Sequence, residues 1–102
     1  LPYIMEFNIP ACPERFADIA DAMGIEREES MSDEQYALKA VEYVKALNRK
    51  LNIPTIKEIK GITEERFEAI AERSANNVLS NDNARKITKE DYLELLKKAY
   101  NE

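Results

Sequence analysis

Ser32-Asp33-Glu34-Gln35-Tyr36-Ala37-Leu38-Lys39-Ala40-Val41-Glu42-Tyr43-Val44-Lys45-Ala46-Leu47-Asn48-Arg49-Lys50-Leu51 is the stretch whose reading decides the fold. The Ser32 hydroxyl faces the first free amides of a helix, and Gln35 can return a bond to the Ser32 amide, the reciprocal pattern of a capping box. Apolar residues then recur every three or four positions, the period of one helix face. The spacing predicts a long helix with Tyr36, Ala40, Val44, Leu47 and Leu51 turned inward, and with Ala37 and Val41 alongside. Asn52 tolerates the left-handed conformation that ends a helix, and Pro54 forbids continuation.

Upstream, Pro10 and Pro13 bracket a break, and Pro13 suits the first position of a helix, where a missing N–H costs nothing. Phe16, Ile19, Ala20 and Met23 give the next helix one apolar stripe, and Gly24 supplies its stop. The opening run Leu1-Pro2-Tyr3-Ile4-Met5-Glu6-Phe7-Asn8 carries five large apolar side chains in seven residues. A free terminus rarely presents that much apolar surface to water. The run reads as the last turns of a helix begun upstream in a longer parent; the alternative is an ordinary N-terminal helix docked on its own core.

Downstream, Thr55 with Glu58 makes a second capping box for one or two turns ended by Gly61. Thr63 is the expected cap of a helix with the stripe Phe67, Ile70, Ala71, Ser74 and Val78. A polar loop, residues 80–86, leads to a last helix capped by Thr88, with Tyr92, Leu93, Leu96, Ala99 and Tyr100 on its apolar side. No stretch alternates with period two for long enough to be a strand. The expected fold class is all-α, a compact bundle of about five helices in one domain over residues 1–102.

Composition agrees. The chain has 102 residues, enough to bury roughly two-thirds of its unfolded surface. With 44% hydrophobic and 34% charged residues it reads as globular. The net charge of −5 argues against a nucleic-acid partner. No segment reaches transmembrane length, and the opening run lacks the basic flank of a signal peptide. The single cysteine, Cys12, excludes an intrachain disulfide and fits a reducing cytoplasm, the expected location.

The chain contains no histidine. That removes Ser-His-Asp and Cys-His nucleophile systems and leaves no imidazole for zinc or iron. No catalytic, cofactor-binding or metal residue is therefore expected in this chain. The acid pairs Asp33/Glu34, Glu64/Glu65 and Glu90/Asp91 each follow a Ser or Thr cap, where negative charge favours the helix dipole, so they read as structural. The segment from Asn81 to Tyr92 comes nearest to a calcium loop but has Lys86 where glycine belongs and Tyr92 where glutamate belongs. Lys45, Arg49, Lys50, Lys57 and Lys60 lack the interleaved aromatics of a base-stacking surface. The loop from Leu79 to Lys86 remains as the functionally suggestive segment. Its Arg85 either binds a carboxylate or phosphate in a bidentate fork or ties the loop to a helix C-terminus.

Leu1 to Asn8, then Ala11-Cys12-Pro13-Glu14-Arg15-Phe16-Ala17-Asp18-Ile19-Ala20 and Ala22-Met23-Gly24, resembles the segment just downstream of the metal-binding histidines in iron-containing (group III) alcohol dehydrogenases. Met31-Ser32-Asp33-Glu34, Leu51-Asn52-Ile53-Pro54-Thr55 and Asn83-Ala84-Arg85-Lys86-Ile87-Thr88-Lys89-Glu90-Asp91 match in the same order, so the likeness covers essentially the whole chain. The departures are Tyr3, where many relatives have histidine, Ala84 in place of proline, and Asn52 in place of glycine.

The resemblance implies a C-terminal helical fragment of a larger dehydrogenase. Such enzymes interconvert aldehydes with primary alcohols or diols, using iron (Fe2+) and NAD(P) held elsewhere in the parent. The metal acts as a Lewis acid while hydride moves to or from the nicotinamide. The implied partners are the nucleotide-binding domain, the iron-ligand helices and a small alcohol or aldehyde substrate, with further copies of the parent as an additional implied partner. By the same resemblance Leu79 borders the substrate pocket as an apolar wall, with Arg85 in the same loop. The rival expectation is a free-standing helical interaction module that buries a partner helix against Tyr3, Ile4 and Phe7.

Overall fold

The computed structural model describes every residue from Leu1 to Glu102 and contains five α-helices and no strand. The expected all-α class is what the chain adopts. Its contacts gather into two compact units, Leu1–Asn52 and Ile53–Glu102, where the sequence alone suggests one domain over residues 1–102.

The first unit comprises α1 (Pro2–Asn8), a 3₁₀ turn over Ile9–Ala11, α2 (Pro13–Ala22) and α3 (Asp33–Lys50). Pro13 takes the first position of α2, as its fixed φ and missing N–H favour. At the other end of α2, Gly24 adopts φ +78 and its N–H donates to the Asp21 carbonyl at 2.9 Å. The Ile25 N–H reaches the Ala20 carbonyl at 3.2 Å, so the last carbonyls of α2 are satisfied by a Schellman closure. Both bonds of the Ser32 capping box form: Gln35 N–H donates to Ser32 Oγ at 3.2 Å, and Ser32 N–H to Gln35 Oε1 at 2.9 Å. Asn52, at φ +57, follows the last residues of α3 in the left-handed conformation that its type predicts.

α2 packs chiefly on α3, and α1 also rests on α3. Ala20, Ala37 and Ala40 are fully buried, and such small side chains let neighbouring helix backbones approach closely. Phe16, Tyr36 and Val41 fill the space beside them. Two expectations fail at the margins of this core. Ile19 is exposed and Ala17 buried in its place, because the inward arc of α2 runs through Phe16, Ala17 and Ala20. Leu47 and Leu51 are also exposed, and burial on α3 stops at Val44. With 18 residues α3 rises about 27 Å, whereas the 10 residues of α2 rise about 15 Å, so α3 outruns its partner. On α1, Met5 and Asn8 are buried while Tyr3, Ile4 and Phe7 are half-buried, and the Lys45 ammonium lies 5.1 Å from the Tyr3 ring centre.

The second unit contains 3₁₀ turns at Ile56–Glu58 and Glu64–Arg66, then α4 (Phe67–Ala75), a further 3₁₀ turn at Val78–Asp82, and α5 (Lys89–Asn101). The Thr55 amide donates to Glu58 Oε2 at 3.2 Å, closing the expected box over a single short turn. Thr63 precedes a 3₁₀ turn and makes no side-chain cap bond, so the expected cap of α4 is absent. α4 also ends sooner than its stripe suggests, leaving Val78 outside it and exposed. The physical cause is Asn77, whose side-chain oxygen accepts the Leu79 N–H at 2.9 Å and so offers the backbone an alternative to helix. α4 and α5 bury Phe67, Ala71 and Ala99, and the Tyr100 ring meets Phe67 edge-on with centroids 5.4 Å apart. Thr88 caps α5 as expected, with its N–H donating to Asp91 Oδ2 at 2.9 Å and its Oγ1 accepting the Asp91 N–H at 3.2 Å. No helix is long and apolar enough to cross a membrane.

Candidate substrate-pocket segment

The segment that joins α4 to α5 holds both residues singled out for pocket lining, Leu79 and Arg85. Asn77 starts it: its side chain bonds the Leu79 amide, and its carbonyl accepts the Ser80 N–H at 2.9 Å. Ser80 carries the next tie, its Oγ lying 2.6 Å from the Ser74 carbonyl and 2.6 Å from the Tyr92 hydroxyl. Asn83 then donates its side-chain amide to the Arg85 carbonyl at 2.7 Å. Leu79 is 70% exposed beside Val78 at 76%, and Arg85 is exposed. The two residues thus share one connecting segment but are fixed separately, Leu79 through Asn77 and Arg85 through Asn83.

The residues that hold this segment, Asn77, Ser80 and Tyr92, are not among those picked out by sequence. A cue exists for Asn77, because Asn-Asn after a helical stripe marks a side-chain-bonded turn. Another exists for Tyr92, because a half-buried phenol on an apolar helix face needs a hydrogen-bond partner. Neither cue says which partner is met, since Ser80 lies 12 residues from Tyr92.

Asp33/Glu34 and Glu90/Asp91 lie in the first turns of α3 and α5, as expected of them, whereas Glu64 and Glu65 lie in a 3₁₀ turn ahead of α4 that Thr63 does not cap. Asp33 meets the Arg27 guanidinium at 2.9 Å, and Asp91 completes the Thr88 cap. In the second unit, Lys89 Nζ lies 2.7 Å from Glu68 Oε1. The Lys89 hydrogen bond and charge hold the Glu68 carboxyl below its ordinary range, and the same bond raises the Lys89 ammonium.

The family resemblance implies an iron ion and a dinucleotide. No three His, Cys, Asp or Glu side chains gather where they could hold a metal ion, and the chain has no imidazole. Its two glycines stand at the separated turns Gly24 and Gly61 and form no glycine-rich phosphate loop. The residues present do not fit either group.

Comparison with known proteins gives this arrangement a context. Residues 1–100 match the model of the Fe-containing alcohol dehydrogenase family, C-terminal. The chain is 37% identical over 100 residues to lactaldehyde reductase of Escherichia coli (strain K12), covering 98% of this chain and 26% of that protein. It is 29% identical over 104 residues to the NADPH-dependent butanol dehydrogenase of Clostridium saccharobutylicum, with 98% and 26% covered. The solved alcohol dehydrogenase from Oenococcus oeni superposes with a TM-score of 0.88 at 38% identity, over 98% of this chain and 26% of that one. This chain therefore spans about a quarter of the length of the relatives it matches. Sequence and fold agree over nearly every residue, and the chain belongs to the iron-containing alcohol dehydrogenase family, in the part that the family model describes as C-terminal.

Proposed function

We propose that this chain is the C-terminal helical segment of an iron-dependent, NAD(P)-linked dehydrogenase that interconverts small primary alcohols or diols with aldehydes. Its helices buttress the metal-bearing part of the longer polypeptide, and the segment from Leu79 to Arg85 lines one side of the substrate pocket. The ligands of the iron and the binding site of the nucleotide lie in that longer polypeptide, whose partners here are the nucleotide-binding domain and the iron-ligand helices. The cytoplasm is the compartment this reading assigns. The observation that carries the proposal is the family match over residues 1–100, in a chain that brings no metal-ligand cluster of its own. An apolar Leu79 on a fixed turn suits a wall that shapes the pocket and performs no proton transfer.

The test compares two polypeptides. The longer protein encoded in the same reading frame, loaded with ferrous ion, is expected to reduce short aldehydes with NADH or NADPH. The 102-residue chain, titrated calorimetrically with ferrous ion, is expected to bind it more weakly than about 1 μM. Tight one-to-one binding by this chain, or turnover of an aldehyde by it alone, would overturn the assignment of the chemistry to other residues.

A further inference from the structure

Leu79 combines two properties that seldom coincide: its side chain is 70% exposed, yet its backbone is tied down on both sides. On one side the Asn77 side chain accepts the Leu79 N–H at 2.9 Å. On the other, Ser80 is bonded through both its backbone and its hydroxyl. A large apolar side chain left open on a restrained turn loses little further backbone entropy when something packs against it.

The direction of the bonds around Ser80 follows from counting protons. A carbonyl only accepts, so the 2.6 Å contact with the Ser74 carbonyl uses the single proton of the Ser80 hydroxyl. The Tyr92 hydroxyl must then be the donor in its own 2.6 Å contact with Ser80. The result is a directed relay, from Tyr92 O–H to Ser80 O–H to the Ser74 carbonyl, in which each bond polarises the next. The relay joins the first turns of α5 to the last turn of α4, and the residue it grips is the one that follows Leu79.

We infer that Tyr92 and Ser80 are positioning residues for substrate choice: through the relay to Ser74 they set where the Leu79 side chain stands in the substrate pocket. The inference rests on the proposed pocket role of Leu79 and adds the residues that control it. Neither hydroxyl touches substrate. Losing either one releases the turn and lets Leu79 move, which alters discrimination between substrates of different size without removing a reacting group.

The test is made in the full-length, iron-loaded protein, by comparing kcat/KM for a short and a longer primary alcohol. Leu79→Ala is expected to change the ratio of the two values about tenfold, as a wall shortened by several carbons should. Tyr92→Phe, which removes one hydrogen bond of the relay, is expected to move that ratio about threefold, and Ser80→Ala, which removes both, at least as far, with the change carried in KM and little change in kcat. The double variant should add nothing to Ser80→Ala, because that substitution already removes both bonds of the relay. Ser80→Thr, which keeps the hydroxyl, should restore the parental ratio. If Leu79→Ala shifts the ratio while Tyr92→Phe and Ser80→Ala leave it unchanged, the relay has no positioning role and the pocket reading survives without it. If Leu79→Ala itself leaves the ratio unchanged, the pocket reading fails and this inference falls with it. Loss of kcat that is equal for both alcohols, and is not restored by Ser80→Thr, also counts against positioning and marks a purely structural role.

Discussion

Tyr36 is 3% exposed, so its hydroxyl has to find a partner inside the protein, and it donates to the Ile25 carbonyl just beyond the end of α2. The Arg27 guanidinium lies over the same ring, 5.1 Å from its centre, and binds the Met31 carbonyl at 3.1 Å and Asp33 at 2.9 Å. One buried phenol and one arginine thereby hold the irregular link between α2 and α3. Tyr36→Phe is expected to destabilise the chain by about 1 kcal/mol in urea denaturation, because the Ile25 carbonyl loses its partner while the ring still packs. Lys89 and Glu68 behave differently because their contact lies at the surface. Glu68 is lowered from 4.5, so its contribution is complete above that pH and lost as the pH falls through the lowered value. Lys89 is raised from 10.5, so its contribution is complete below that pH and lost as the pH rises through the raised value. Stability curves of wild type and Glu68→Gln should separate between those limits and converge at lower pH. Added salt should shrink the separation.

At the scale of elements, boundaries are set by residues that satisfy backbone groups at helix ends. Gly24 closes α2 in the left-handed region, and an added Cβ there meets nothing within 4 Å. The cost of Gly24→Ala is therefore conformational only, about 1 kcal/mol of stability in thermal or urea unfolding. Asn52 does the same work after α3 with φ +57, and Asn52→Gly should be neutral or slightly stabilising for the converse reason. A large loss on Gly24→Ala, of a size typical of core disruption, would show that the site is crowded and that this account of the closure is wrong. The end of α4 follows a different rule. There Asn77 bonds the chain into a 3₁₀ turn before the apolar spacing runs out, and Val78 and Leu79 are left open to solvent.

At the scale of the whole molecule, the two units differ in what they bury. The first has a buried cluster that includes Phe16, Tyr36, Val41 and Val44, whereas the second buries only Phe67, Ala71 and Ala99. Opening free energy follows buried apolar contact, so backbone amides in α4 and α5 are expected to exchange with solvent deuterium faster than those in the middle of α2 and α3. Hydrogen exchange on this chain measures the difference directly. Equal protection in the two units would show that the second is stabilised by something other than its enclosed side chains.

Much of this organisation was legible in local sequence. The Ser32, Thr55 and Thr88 caps, the Pro13 start and the stops at Gly24 and Asn52 all depend on groups within a few residues of one another, so composition and spacing determine them. The all-α class follows from the same periodicity, and the ordered matches from Leu1 to Asp91 carry the family. What required the tertiary structure involves groups distant in the chain. Ile19, Leu47 and Leu51 have the right spacing for burial, but exposure depends on which arc of a helix faces its partner, for Ile19, and on how far that partner extends, for Leu47 and Leu51. Leu79 and Arg85 could be singled out from sequence, whereas the bond from Tyr92 to Ser80 could not. A hydroxyl's need for a partner is written in its residue type, but which partner lies within 2.6 Å is decided only when α4 and α5 pack.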